Sequence, residues 1–320
     1  MKIVTKSRFT VVCIALLSLM VSCNNDDDPK TVDNTITAIA VKNSNLSILI
    51  NALTRTDLAT TLKGAGPFTV FAPTDAAFTA FLKTTPYATI NDVPKDVLTQ
   101  ILLNHVVSGN VKSTDLKTGY IKTLAKSATS GTNTMSMYVD LTSGVKLNGV
   151  SKVTTADVMA SNGVIHVVDA VINLPTIVTH ATANQNFTTL VEALTAKGQP
   201  DFVSILSGTG PFTVFAPTNA AFTALNTELA PGGISAVSDA NLTKVLQYHV
   251  VSGNILAASL TEGQTVTPIL TPAQTFMIQL NGGAKIKDIN NRLSNIIITD
   301  VQCSNGVIHA IDKVLLPNLK

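Results

Sequence analysis

Thirteen consecutive residues, Gly66 to Phe78, return as Gly210 to Phe222 with a single change, Asp75 to Asn219. Two further blocks follow in the same order. His105-Val106-Val107-Ser108-Gly109-Asn110 returns as His249 to Asn254, and Asn162-Gly163-Val164-Ile165-His166 returns as Asn305 to His309. The spacing is 144 residues for the first two blocks and 143 for the third. Solenoid repeats recur every 20–50 residues or so, so a period this long marks one whole domain copied once. The 320-residue chain is therefore expected to hold two domains, 34–175 and 176–320, meeting near Leu174-Pro175-Thr176. Leu316-Pro317 ends the second copy in the same way.

Each copy has a readable order of elements. Leu46, Leu49, Ile50 and Leu53 stand at helical spacing, as do Phe187, Leu190, Val191 and Leu194, which predicts a helix with one apolar stripe. Phe68-Thr69-Val70-Phe71 reads as a short strand stopped by Pro73. Thr74 and Thr218 are then suited to cap a following helix, and Asp75 favours its positive end. A third helix carries Leu98, Ile101, Leu102 and His105 on its apolar face, matched by Leu242, Val245, Leu246 and His249. The rest turns to strand-type sequence at 145–153, 157–159 and 164–168, broken by Asn-Gly turns. Helices first and strands afterwards predict an α+β class.

The first residues read as an address. Lys2, Lys6 and Arg8 precede an apolar run from Phe9 to Val21, the layout of a secretory signal, 1–22. Leu19-Met20-Val21-Ser22-Cys23 resembles a bacterial lipobox, with Met20 where Leu is usual. The resemblance implies lipidation at Cys23 and a membrane anchor of several acyl chains. The polar stretch 23–33, with Asp26-Asp27-Asp28, is expected to be a solvated tether. It resembles the acidic export signal of surface lipoproteins in Bacteroidetes-type bacteria. The expected location is the cell envelope, lipid-anchored at the outer membrane and exposed on the surface.

Setting the signal aside leaves 19 basic against 20 acidic residues, with no basic run. That balance gives no electrostatic footprint for nucleic acid. Cys303 is the one thiol left after Cys13 and Cys23 are accounted for, so it reads as a small buried apolar residue.

The repeated blocks resemble the signatures of the fasciclin-type (FAS1) domain. The first is carried by Thr69 to Phe78 and Thr213 to Phe222, the second by Asn162 to Asp169 and Asn305 to Asp312. The resemblance implies a wedge or sandwich of β-strands with packed helices in each copy, and a role in adhesion at cell surfaces or matrix. In animal members a Tyr-His pair and an Asp-Ile-Met-like tripeptide are linked to integrin binding. Tyr248-His249 matches the pair, while the first copy has Asn104 before His105. Asp157-Val158-Met159 approximates the tripeptide, and Asp300-Val301-Gln302 has lost the Met. Candidate interaction residues are thus Tyr248, His249, His105, Asp157 and Met159.

Catalysis finds little footing. No Gly-x-Ser-x-Gly elbow or phosphate-binding loop is present, and Asp169 and Asp312 stand three residues from their strand histidines, on the opposite face. His105 and His249 read first as satisfied core histidines and second as binding or titrating groups. No metal or cofactor is expected. The expected function is non-enzymatic adhesion to a surface or matrix protein or polysaccharide. The alternative is a carrier for a small hydrophobic or glycan ligand.

Overall fold

In the computed structural model the described residues are 33–319. The signal segment 1–22 and the tether up to residue 32, Cys23 included, lie outside them.

The first domain begins with helices α1 (Ile36–Val41), α2 (Ser47–Arg55) and α3 (Leu58–Lys63), then strand β1 (Phe68–Pro73). Helices α4 (Asp75–Leu82) and α5 (Lys95–Leu103) come next. Strands β2 (Val106–Ser108), β3 (Gly119–Lys126), β4 (Thr134–Asp140), β5 (Lys146–Leu147), β6 (Ser151–Ala160) and β7 (Gly163–Val168) complete it. The second domain repeats the plan. It has α6 (Ile177–Ala183), α7 (Thr188–Leu194), α8 (Phe202–Ser207), β8 (Phe212–Pro217), α9 (Asn219–Glu228) and α10 (Asp239–Tyr248), then β9 (Val250–Ser252), β10 (Thr265–Val266), β11 (Phe276–Gln279), β12 (Lys285–Lys287), β13 (Leu293–Cys303) and β14 (Gly306–Ile311).

Each domain builds one seven-stranded sheet, in the orders β2-β1-β7-β6-β5-β4-β3 and β10-β11-β12-β13-β14-β8-β9. The order is the same in both when corresponding strands are matched. β1 lies parallel to β7 and antiparallel to β2. Alternate residues of β1 serve two cores. Val70 and Ala72 face a cluster with the helices, while Phe71 joins Met137, Val139 and Leu147 from β4 and β5. The sheet therefore folds over itself, with helices on its outer face. Its bend lies in β6, whose pairing with β7 slips register between Val153 and Thr155 and again between Thr155 and Val158. Such bulges turn a strand sharply. This is the expected α+β wedge.

Local sequence explains the elements. Leu46, Leu49 and Leu53 are buried and Ile50 is half-buried, as the helical stripe requires. Thr74 Oγ1 accepts the Ala77 N–H at 3.2 Å, and Thr218 Oγ1 accepts that of Ala221 at 3.4 Å. Asp75 does more than the helix-end argument expects. Its carboxylate also caps α2, accepting the Ile48 N–H at 2.8 Å and the Ser47 hydroxyl at 2.6 Å. Asn219 takes the same post, accepting the Thr189 N–H at 3.0 Å and donating to Thr188 Oγ1 at 2.9 Å. The one change inside the thirteen-residue block keeps its bond.

Candidate functional site

The repeated polar residues are consumed by the scaffold. Asn162 Oδ1 accepts the Ile36 N–H at 2.9 Å, and its amide donates to the carbonyls of Leu62 and Gly64, both at 2.8 Å. Asn305 makes the matching bonds to Ile177, Leu206 and Gly208 at 3.0, 2.7 and 2.9 Å. One side chain thus ties the start of α1 and the end of α3 to the sheet. The glycine that follows is equally constrained. At Gly163 and Gly306 φ is +153° and +154°, and a Cβ would collide with the carbonyls of Phe68 and Phe212.

His105 stands just past the end of α5 rather than on its face, and His249 caps α10. Each is a bracket. His105 Nε2 accepts the Ile172 N–H at 2.8 Å, so Nδ1 carries the proton and donates to the Ile101 carbonyl at 2.8 Å. His249 does the same with Leu315 at 2.9 Å and Val245 at 2.7 Å. Burial pushes both imidazoles down to about 4, against the helix carbonyl that favours the protonated ring. His166 and His309 hold the bulges. Their Nδ1 atoms accept the N–H of Asp157 and Asp300 at 3.2 and 3.3 Å, and their Nε2–H groups donate to Val111 and Ile255 at 2.9 and 2.8 Å.

These bonds settle where the candidate interaction residues lie. His105, His249 and Tyr248 are 1%, 3% and 0% exposed, which places them beyond reach of a surface partner. The Tyr248 hydroxyl donates to the Thr275 carbonyl at 2.7 Å, and Asn104, its counterpart, donates to Ile172 and Asn173 at 3.1 and 3.0 Å. Asp157 is half-buried with its carboxylate on Ser113, while Met159 is 49% exposed. Helical and strand periodicity mark an apolar face. They do not say that a segment arriving some 67 residues later covers it.

Sequence reasoning missed the seam between the domains. The end of β13 lies against β3 and β4. Gln302, fully buried, donates from its amide to Ser127 Oγ at 3.2 Å and Asn254 Oδ1 at 3.0 Å, and its N–H donates to Ser136 Oγ at 3.0 Å. Lys122 Nζ donates to the Asp300 carbonyl at 2.7 Å, and Asn184 donates to the Tyr120 hydroxyl at 3.1 Å. Behind Tyr120, edge-on at 5.3 Å, His180 is buried with neither ring nitrogen hydrogen-bonded. Burial pushes it down to about 3; the Ser136 backbone opposes this without hydrogen-bond geometry, and Lys122 adds to it. Cys303 is fully buried here too, and burial drives its thiol pKa strongly upward.

The second domain also holds an apolar pocket of about 30 Å³ walled by Phe187, Leu190, Phe202 and Val214. That is room for about two water molecules, well short of a lipid or sugar. Among the described residues, no group of three or more His, Cys, Asp or Glu side chains could hold a metal ion. No described helix is long and apolar enough to cross a membrane.

A family model described as the Fasciclin domain matches residues 44–175 and 185–317. Protein sll1483 of Synechocystis sp. is 43% identical over 142 residues, 44% of this chain and 73% of that protein. Transforming growth factor-beta-induced protein ig-h3 of Oryctolagus cuniculus is 28% identical over 262 residues, 80% of this chain and 36% of that protein. Among solved structures, the FAS1 domain pair of the insect cell adhesion molecule fasciclin I is similar, with a TM-score of 0.48 and 18% identity, covering 89% of this chain and 96% of that one.

Proposed function

The chain belongs to the fasciclin family as a tandem of two such domains, and on that premise we propose that it is a non-catalytic adhesion or interaction protein. It would hold an extracellular protein or polysaccharide through exposed surface rather than through the repeated motifs. One observation carries this reading. The motif residues that could do chemistry, Asn162, His105, His166 and their counterparts, are each spent on internal hydrogen bonds. Adhesion is also the described role of insect fasciclin I, which carries a pair of the same family's domains.

The anchor forms part of the proposal. Acyl chains on Cys23 would keep the protein on the outer membrane, with 23–33 as a tether to the external medium. Two measurements test it. The protein should bind at least one polymer on an array of matrix proteins and polysaccharides, and binding to none would refute the adhesive role. Cys23→Ser should move the protein from the membrane fraction to the soluble one, and an unchanged distribution would refute the anchor.

A further inference from the structure

The seam opens outward into a cleft of about 400 Å³. Tyr120, Lys122 and Tyr138 line it from the first domain, and Asn184, Asn186 and Asp300 from the second. Tyr120 and Tyr138 are cross-strand neighbours, their ring centroids 5.1 Å apart and tilted by 55°. The ring of Tyr138 is buried, yet its hydroxyl has no hydrogen-bond partner among the described residues. Burial raises the pKa of both phenols, so each hydroxyl keeps a proton to donate.

Asp300 also has capacity to spare, for a reason visible in the duplication. Its counterpart Asp157 uses both oxygens on Ser113, accepting the N–H at 2.8 Å and the hydroxyl at 2.5 Å. Ala257 replaces that serine in the second domain. Asp300 therefore keeps only the Ala257 N–H, on Oδ1 at 2.8 Å, and its Oδ2 is unpaired. Lys122 is the reverse case. Its three N–H donors are spent on the Asp300 carbonyl at 2.7 Å, the Ser136 hydroxyl at 3.1 Å and the Thr134 carbonyl at 3.5 Å. A committed ammonium beside a half-open carboxylate leaves no net charge to draw an anion.

A cleft at a domain junction, with an aromatic wall and a few convergent polar groups, has the general form of a ligand site. Donating phenols, a carboxylate oxygen that accepts, an exposed amide and no net charge together match a polyol. We propose that this interdomain cleft binds a neutral sugar unit of a glycan. Tyr120 offers the ring face, and Tyr138, Asn186 and Asp300 meet the hydroxyls. The proposal rests on the polymer-binding reading and narrows its polymer to a neutral polysaccharide. Both domains are needed. The corresponding depression in the second domain is about 220 Å³, with Thr265 and Met277 where Tyr120 and Tyr138 stand.

The test is calorimetric titration of the full chain with cello-, manno-, malto-, xylo- and N-acetylchito-hexaose, and with acidic hexagalacturonate. At least one neutral probe should bind and hexagalacturonate should not. Tyr138→Phe with Asn186→Ala should weaken that binding about tenfold or more, with an unchanged melting temperature. Asp300→Asn, at a half-buried position, gives a second readout should the double variant fold poorly, and should weaken the same probe. Undiminished binding in these variants, preference for the acidic probe, or no binding of any neutral probe would overturn the cleft assignment. If the chain still holds a polymer on the array in those cases, adhesion stands and only the cleft is lost. An empty array removes both.

Discussion

At equivalent positions of the two bent strands, Met159 is 49% exposed and Gln302 is fully buried. The backbone around them is the same, bulge for bulge, and the neighbours are not. Gln302 meets the first domain across the seam, whereas Met159 meets solvent. Asn104 and Tyr248 differ for a similar reason. Each ties its helix end to a different loop, Ile172–Asn173 in one domain and Thr275 in the other. The duplication has thus kept the residues that every copy needs for its own closure. It has let those facing a particular neighbour diverge.

The strongest challenge to that view is at the shared positions. Gly163→Ala and Gly306→Ala should each abolish folding of their own domain, because a Cβ there meets backbone that cannot yield. Calorimetry should show loss of one unfolding transition or of the whole native state. A mild shift in either variant would break the equivalence.

Acid should come next, through the bracket histidine of each domain and more strongly in the second, where burial also lowers the pKa of His180 and His309. His105 and His249 titrate at about 4 when folded against 6.5 ordinarily, so the unfolded chain binds protons that the folded chain refuses. Stability is therefore complete above about 6.5 and falls as pH drops towards 4, by up to about 1.4 kcal/mol per pH unit for each histidine. Urea denaturation at pH 7 and pH 5 measures this. Equal stability at the two values would contradict the bracket role.

Smaller effects should separate the copies. Gln302→Met leaves Ser127 and Asn254 without their amide donor in a buried site and should cost about 2 to 4 kcal/mol. Met159→Gln should stay within about 0.5 kcal/mol, as surface changes do. Comparable losses from the two exchanges would erase the distinction. Between those two, Tyr248→Phe removes the bonds to Thr275 and Ile289 and should cost about 1 kcal/mol, seen as a lower urea midpoint with an unchanged slope.

The parts of the fold legible in the sequence are those built by local rules. The caps at Thr74 and Thr218, the stripe Leu46-Leu49-Leu53 and the strand stopped at Pro73 all follow from spacing and turn chemistry. β3, β4 and β10 to β12 escaped because they lie outside the repeated blocks. β4 is also covered on both faces, so it lacks the alternation that marks a half-buried strand. The cleft was hidden for another reason. Tyr120, Tyr138 and Asp300 come together only across a seam that no periodicity encodes.

The pairing of β1 with β7 also bears on how the protein is made. Phe68 lies beside Gly163, about 95 residues further along, and the second domain repeats the arrangement with Phe212 and Gly306. A chain emerging from the ribosome would present its helices and β1 long before the strand that completes the sheet. Until β7 emerges, one edge of β1 stays open to wrong partners, including β8 of another nascent copy, which has the same six-residue sequence. Each half of the molecule must thus be synthesised almost to its last residue before it can close.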